Sequence, residues 1–204
     1  MGVGSVKPIA WVPRTTSGES PKLLNATADC KSLSPLSNGA CVSNRSYRRM
    51  NQREMKPRAL KIFVMADTHD RMPPTIAPLA RDSDEIWHLG DVCEPGILEA
   101  VEEIGLPVTI VQGNCDNDPR WPLAVDLERN GVRFHLVHIP PSQPPPKVDV
   151  LLHGHTHVPR DEMKEGVRFL NPGCVTRPSR GSLPSVATLE ISANGTLRWS
   201  LTRV

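Results

Sequence analysis

From Leu60 onward the chain consists of short apolar runs, each ended by glycine, aspartate, asparagine or proline. Five of these runs are rich in β-branched residues and have the length of buried strands. They occupy residues 62–66, 85–89, 108–112, 132–137 and 148–152. Apolar residues at helical spacing separate the first three runs, over residues 74–81 and 97–104. This alternation predicts parallel strands that are joined by right-handed helical crossovers.

Three later apolar runs, at residues 167–170, 185–191 and 197–201, are expected to pair antiparallel, and Asn194 with Gly195 forms a turn signal between the last two. The link from the fourth to the fifth strand is unusual, because five prolines lie between residues 138 and 148. Parallel neighbours usually need a crossover of about a dozen residues or more. Either these two strands are not parallel neighbours, or the crossover is a stiff extended loop.

Residues 1–59 differ in composition from the rest, with eight serines and no sustained apolar period. They hold ten lysines and arginines against three acidic residues, whereas residues 60–204 hold fourteen against nineteen. We expect a disordered basic extension over 1–59 and one folded domain over 60–204. The extension fits either an organelle transit peptide or a segment upstream of a start at Met50 or Met55, and the second interpretation is favoured.

The chain carries no signal of a membrane span, which needs roughly 18 uninterrupted apolar residues, nor of a signal-peptide core. Its five cysteines form no CxxC pair, and their odd number argues against a disulfide framework. We therefore expect a cytoplasmic protein without a membrane partner, with organellar targeting by residues 1–59 as the alternative. The basic extension lacks the aromatic interleaving of a nucleic-acid binder, so that nucleic acid is not an expected partner.

A potential metal ligand follows each of the five strands. The residues, in strand order, are Asp67 and His69, Asp91, Asn114, His138, and His155 with His157. In an open α/β sheet, ligands bind beyond the carboxyl ends of the strands, so that these side chains are expected to converge. Two divalent ions about 3.5–4 Å apart, sharing a carboxylate, can clamp a phosphate and activate water. Imidazole together with carboxylate and amide oxygen suits Mn²⁺, Fe²⁺, Zn²⁺ or Co²⁺.

The ordered blocks Asp-x-His, Gly-Asp, Gly-Asn, a single His and Gly-His-x-His resemble those of the calcineurin-like metallophosphoesterases. The resemblance is to the small bacterial and archaeal phosphodiesterase branch and covers residues 60 to about 190. It implies an α/β fold of two facing sheets, an αββα sandwich, with the first sheet mainly parallel and a dimetal site at the carboxyl ends of the strands.

The resemblance also implies a ligand set. Asp67, His69 and His157 would hold the first metal, Asn114, His138 and His155 the second, and Asp91 would bridge the two. Mn²⁺ is the expected metal, with Fe²⁺, Zn²⁺, Co²⁺, Ni²⁺ and Mg²⁺ as alternatives. The remaining histidines, at positions 88, 135 and 153, lie inside strands and are expected to be structural or supporting groups.

The activity that the resemblance implies is hydrolysis of small phosphodiesters, and of monoesters as further substrates, by in-line attack of a metal-bridging hydroxide. Asp91, Asn114 and Cys115 are the expected catalytic residues. Many relatives have His directly after the Asn, where this chain has Cys115, a poor general acid at a thiol pKa of about 8.5. We therefore expect preference for esters with good leaving groups. Arg177 and Arg180 are the candidates for gripping the substrate phosphate.

Two other functions remain open. The first is a non-catalytic metal-binding interaction module on the same fold, comparable to the retromer subunit that resembles these enzymes. Loss of a metal ligand would favour that function, and here the expected ligand set is complete. The second is nucleic-acid processing led by the basic extension, which predicts salt-sensitive binding. A homo-oligomer is a further open possibility, besides the small phosphate ester as a partner.

Overall fold

The secondary structure comes from a computed structural model that describes residues 58–204. The predicted extension therefore lies outside the described residues, apart from its last two positions. The elements, in chain order, are β1 (Leu60–Met65), α1 (Ile76–Ala80), β2 (Glu85–His88), α2 (Pro95–Glu102), β3 (Val108–Ile110), β4 (Ala124–Arg129), β5 (Val132–Val137), β6 (Val150–His153), β7 (Arg160–Lys164), β8 (Val167–Asn171), β9 (Ser185–Ile191) and β10 (Leu197–Arg203). No helix of this part of the chain is long and apolar enough to span a membrane.

The strands form two five-stranded mixed sheets, ordered β10-β9-β1-β2-β3 and β4-β5-β6-β8-β7. In the first sheet, β1, β2 and β3 run parallel, and β9 and β10 pair antiparallel beside β1. In the second sheet, β5, β6 and β8 run parallel between the antiparallel edge strands β4 and β7. The predicted two-sheet α/β architecture is confirmed.

The second sheet also differs from the sequence prediction. Neither β4 nor β7 was expected. The RDEMK sequence of β7 is mostly exposed and has no apolar period. The prediction that residues 167–170 pair antiparallel is only partly right, since β8 runs antiparallel to β7 but parallel to β6. The strands β5 and β6 are parallel neighbours, and residues 138–149 connect them without a helix. Of the two alternatives for the proline-rich link, the abbreviated crossover is correct.

The main core lies between the two sheets. Successive side chains of a strand point to opposite faces, and Ile62 and Val64 of β1 point into this core. There the rings of Trp87 and Phe134 pack edge to face, with their centroids 5.2 Å apart. Burying a side chain of this size contributes roughly 1.5–3 kcal/mol. The other face of β1 packs against α1 and α2. Both helices of residues 58–204 cover this sheet. Of the two outer helix layers of the expected αββα sandwich, the described part of the chain therefore has only one.

Candidate metal centre

The loops after five parallel strands meet at one end of the two facing sheets. Backbone hydrogen bonds join them in pairs, from the Asp67 amide to the Gly90 carbonyl at 3.0 Å and from the Gly154 amide to the His138 carbonyl at 3.1 Å. A third runs from the His69 amide to the Asp91 carbonyl at 3.1 Å. Residues that are up to 90 positions apart in the chain are thereby placed in one cluster.

Four of the seven predicted ligands form a first group, in which donor atoms face one another. The Nε2 atoms of His69 and His157 are 3.0 Å apart. His157 Nε2 lies 3.5 Å from Asp67 Oδ1, and His69 Nε2 lies 3.9 Å from Asp91 Oδ2. Imidazole nitrogens and carboxylate oxygens thus converge at distances that one cation can bridge.

A second group forms around the side-chain amide of Asn114. Its Oδ1 lies 3.1 Å from His138 Nε2 and 2.9 Å from His155 Nδ1. His138 Nε2 is also 3.4 Å from Asp91 Oδ1. Asp91 therefore faces both groups, with Oδ2 towards His69 and Oδ1 towards His138. This is the position that a bridging carboxylate requires.

Backbone carbonyls orient two of the histidines. His138 Nδ1 lies 2.7 Å from the Leu89 carbonyl, and His157 Nδ1 lies 2.6 Å from the Arg177 carbonyl. Because a carbonyl oxygen only accepts, Nδ1 carries a proton in both rings, which leaves Nε2 as the ring atom that faces the centre and would bind a cation. The Nδ1 atom of His69 has a softer partner, the Cys93 sulfur at 3.7 Å.

The backbone of the centre is strained at several ligand positions. The φ angles are +56° at Asp67 and Asp91, +41° at His69, +66° at His155 and +57° at His157. Non-glycine residues rarely adopt this left-handed conformation, which costs of order 1–3 kcal/mol each and concentrates at functional sites. The rest of the fold must therefore stabilise an arrangement that these loops would not adopt by themselves.

Glycines let the strand ends approach closely. A Cβ atom on Gly113 would lie 2.2 Å from both the backbone nitrogen and Oδ1 of Asp91. A Cβ atom on Gly90 would lie 2.8 Å from His138 Nδ1. The glycine that precedes Asn114 and the glycine that precedes Asp91 are thus sterically required, which explains the Gly-Asn and Gly-Asp pairs of the sequence.

Asp116 holds the Asp91 loop in place, and the sequence analysis missed it. Its buried carboxylate accepts hydrogen bonds from the amides of Asp91 at 2.9 Å, Val92 at 2.8 Å, Cys93 at 2.8 Å and Gly113 at 2.7 Å. The available signal was its place in the turn after β3, where an aspartate often bonds to nearby amides.

The pKa values of the two central carboxylates, Asp67 and Asp91, are shifted in opposite directions. Burial raises the pKa of Asp67 to about 6. Burial also acts to raise the pKa of Asp91, but hydrogen bonds from His138 and from the Cys115 amide outweigh it and bring that pKa below its ordinary value. Asp91 is therefore anionic at neutral pH.

An orphaned oxygen supports a cation at this position. Asp67 Oδ2 is buried and has no hydrogen-bond partner among residues 58–204. A buried polar atom without a partner costs free energy, and a bound cation would relieve that cost. The surrounding donors are imidazole nitrogen, carboxylate oxygen and amide oxygen, which suit divalent metals of the first transition row. The residues present thus fit divalent metal ions.

The remaining predicted site residues lie at the rim of the centre. Cys115 is exposed, and burial followed by the Asp91 charge raises the pKa of its thiol, so that the thiol is protonated at neutral pH. Arg177 is exposed and contributes its carbonyl to His157. Arg180 is exposed, and no hydrogen bond or ion pair within the described chain joins it to the predicted ligands.

The other three histidines lie outside the two groups. His88 Nδ1 faces the Gly90 amide at 3.2 Å, and its Nε2 faces the Thr68 hydroxyl at 3.1 Å. Burial lowers the pKa of both His88 and His153 to about 4. His135 pairs with a carboxylate of the neighbouring strand β4. These placements agree with the expectation of structural or supporting roles.

Comparisons with known proteins point to one family. Residues 60–194 match the family model of the calcineurin-like phosphoesterase superfamily domain. A probable metallophosphoesterase of Methanothermobacter thermautotrophicus is 36% identical over 151 residues, covering 64% of this chain and 85% of that protein. The phosphodiesterase YfcE of Escherichia coli is 29% identical over 163 residues, covering 64% of this chain and 88% of that protein.

Solved structures show the same fold. The structure of YfcE, a phosphoesterase from E. coli, superposes with a TM-score of 0.58 at 24% identity, covering 71% of this chain and 100% of that chain. Vacuolar protein sorting 29 of Cryptosporidium parvum superposes with a TM-score of 0.57 at 20% identity, covering 72% and 98%.

Proposed function

The chain belongs to the calcineurin-like phosphoesterase superfamily, and from this premise we propose that it is a metal-dependent phosphodiesterase acting on small phosphate esters. The supporting observation is Asp91, whose Oδ2 lies 3.9 Å from His69 Nε2 and whose Oδ1 lies 3.4 Å from His138 Nε2. One carboxylate between two groups of nitrogen and oxygen donors is what a pair of neighbouring divalent ions needs.

Seven side chains are assigned to metal binding. The first group is Asp67, His69 and His157, the second group is Asn114, His138 and His155, and Asp91 belongs to both. Mn²⁺ is the ion we assign, because it accepts mixed carboxylate and imidazole sets. Divalent ions bound there would supply Lewis acidity, neutralising the phosphate charge and lowering the pKa of water.

The side chains themselves prepare the centre for a phosphate ester. Asp91 stays anionic because hydrogen bonds lower its pKa, so it offers both oxygens at neutral pH. The Oδ1 atom of Asn114 faces two histidines, which directs its amide Nδ2 towards the exposed rim beside the Cys115 sulfur at 3.4 Å. This N–H group is placed to donate to a phosphate oxygen.

Among residues 58–204, no strong acid lies at the rim to give a proton to the leaving group. The Cys115 thiol, with its raised pKa, holds its proton more tightly than an ordinary cysteine. Diesters whose leaving group departs as a stable anion are therefore the preferred substrates. We place the activity in the cytoplasm, where the free thiols of Cys93, Cys115 and Cys174 would stay reduced.

Hydrolysis of bis-p-nitrophenyl phosphate in the presence of Mn²⁺ tests this proposal. Replacing Asp91 by asparagine removes the charge between the two groups, and we expect turnover to fall by about 1,000-fold or more. The matched control is Asp126→Asn, at an aspartate of β4 whose side chain is 79% exposed and pairs with His135. That variant should keep the wild-type rate. Undiminished turnover in Asp91→Asn would refute the assignment.

A further inference from the structure

A cavity adjoins the metal centre on the side of His69. It has a volume of about 390 Å³ and is lined by Cys93, Leu98 and residues 117–121. Cys93 belongs to both features, because its sulfur lies 3.7 Å from His69 Nδ1. Small-molecule sites commonly have volumes of roughly 300–1,000 Å³, so this cavity is large enough for one substituent of a small substrate.

The charged side chains at the cavity neutralise each other. Arg120 Nε donates to Asp118 Oδ1 at 2.9 Å and Arg120 Nη2 donates to Asp118 Oδ2, in a two-pronged ion pair. These hydrogen bonds lower the pKa of Asp118 to about 2, so the carboxylate is ionised at neutral pH. A phosphate entering the cavity would gain little from an arginine that is already paired, and it would meet a carboxylate. The cavity is therefore suited to an uncharged group.

Apart from Cys93 and the polar Asn117, the rest of the lining is apolar and includes an indole. Leu98, Pro119 and Trp121 supply hydrophobic surface, and Trp121 is half-buried at the turn that follows β3. An aromatic side chain binds another flat ring most favourably, because offset or edge packing adds interaction energy to that of burying apolar area. An aliphatic group of a few carbons would be stabilised only by the burial of its apolar area.

We propose that this cavity binds an aromatic ester group of the substrate while the phosphate lies at the metal centre. The inference rests on the proposed function and extends it, because it names the class of diester. Trp121 is the specificity-determining residue of this subsite. Its role is recognition, so it requires no covalent step and applies equally to a benzene ring or a nucleobase.

Binding of two phosphonates to the Mn²⁺-loaded full chain, measured by titration calorimetry, tests the proposal without turnover. Phenylphosphonate and methylphosphonate share the same head group and differ only in the substituent. We expect phenylphosphonate to bind about ten-fold more tightly to the wild type. Trp121→Ala should reduce this ratio to about one, and Trp121→Phe should retain most of it because a ring remains.

The matched control is Leu123→Ala, two positions beyond Trp121, at a side chain that is 72% exposed and lies outside the cavity. It should leave the ratio of affinities unchanged. A ratio of one in the wild type, or an unchanged ratio in Trp121→Ala, would overturn this inference while hydrolysis of the diester stands. Failure of both phosphonates to bind would count against the proposed function and would overturn the inference with it.

Discussion

His88 joins the carboxyl ends of β1 and β2, although it is not one of the ligand candidates. The Gly90 amide donates to its Nδ1, so Nε2 must carry the proton and donate to the Thr68 hydroxyl. That hydroxyl in turn donates to the Asp91 carbonyl at 3.3 Å. Protonation of Nδ1 would set two N–H groups against each other, so the chain of hydrogen bonds needs the neutral ring.

This requirement predicts loss of stability in mild acid. Burial lowers the pKa of His88 to about 4, whereas an unfolded histidine titrates at about 6.5. Between these values the unfolded chain binds more protons, so the contribution of His88 is complete above pH 6.5 and is lost as the pH falls towards 4. From pH 7 to pH 5 the free energy of unfolding should drop by about 2 kcal/mol through this group.

Urea unfolding of the metal-free protein at the two pH values measures this effect. The His88→Gln variant keeps a hydrogen-bonding side chain but cannot gain a proton, so its stability should depend less steeply on pH. The difference in slope between wild type and variant isolates His88 from the other buried histidines. Identical pH dependence in the two proteins would contradict the assignment of a buried, neutral ring.

The predicted ligands could be found from the sequence because each lies within a few residues of the end of an apolar strand. The position of a strand end depends on local patterning, and parallel strands bring their carboxyl ends together. Asp116 could not be found in this way, because its four amide donors lie on two loops whose paths depend on the packing of β2 beside β3. The same holds for Cys93, which meets His69 only in the folded chain.

At the scale of elements, the loop after β3 lies very close to the loop after β2 at Gly113. A Cβ atom on Gly113 would lie only 2.2 Å from the Asp91 backbone nitrogen, whereas a Cβ atom on Gly96 in α2 would meet no atom within 4 Å. The same substitution should therefore act in opposite directions at these two positions.

Paired alanine substitutions test this steric argument. Gly113→Ala must push the β2 and β3 loops apart, and we expect it to lower the free energy of unfolding by about 3 kcal/mol or more and to abolish hydrolysis. Gly96→Ala adds a better helix former in open space and should raise stability by up to about 1 kcal/mol with activity unchanged. Urea unfolding gives both values. A Gly113→Ala protein that unfolds like the wild type would show that the two loops can accept the added Cβ atom, and would contradict the steric argument.

The buried parallel strands could be predicted from sequence, while the edge strands β4 and β7 of the second sheet could not. A strand that is buried on both faces has a continuous apolar run, as in the VLLH sequence of β6. The edge strand β7 has the charged sequence RDEMK, which carries no such run and is typical of a solvated edge. The parallel pairing of β8 with β6 also escaped prediction, because the chain between them forms the short antiparallel partner β7 rather than a helix.

At the scale of the whole molecule, the facing sheets hold the strained loops in one place. The core between them, which includes Trp87 and Phe134, connects β1 and β2 of one sheet to β5 and β6 of the other. These are the strands whose ends carry six of the seven predicted ligands. The free energy of packing along this core thus offsets the cost of left-handed backbone at the candidate metal centre.

Residues 58–204 contain both sheets and every side chain assigned to metal binding. We therefore predict that a chain lacking residues 1–57 keeps kcat/KM for bis-p-nitrophenyl phosphate within about two-fold of the full chain. The comparison should be made at equal concentration of folded protein, which circular dichroism can verify. A large loss of activity in a folded truncated chain would assign part of the chemistry to the basic extension. Salt-sensitive nucleic-acid binding that disappears on truncation would support the alternative role of that segment.

Our main proposal is that side chains from five strand ends form a metal-dependent phosphodiesterase centre. Its most direct test is the rate of bis-p-nitrophenyl phosphate hydrolysis by the full chain before chelation, after removal of metal, and after addition of Mn²⁺. We predict that chelation lowers the rate by at least about 100-fold and that Mn²⁺ restores it. Turnover that survives complete removal of metal, or no turnover at any Mn²⁺ concentration, would contradict the claim.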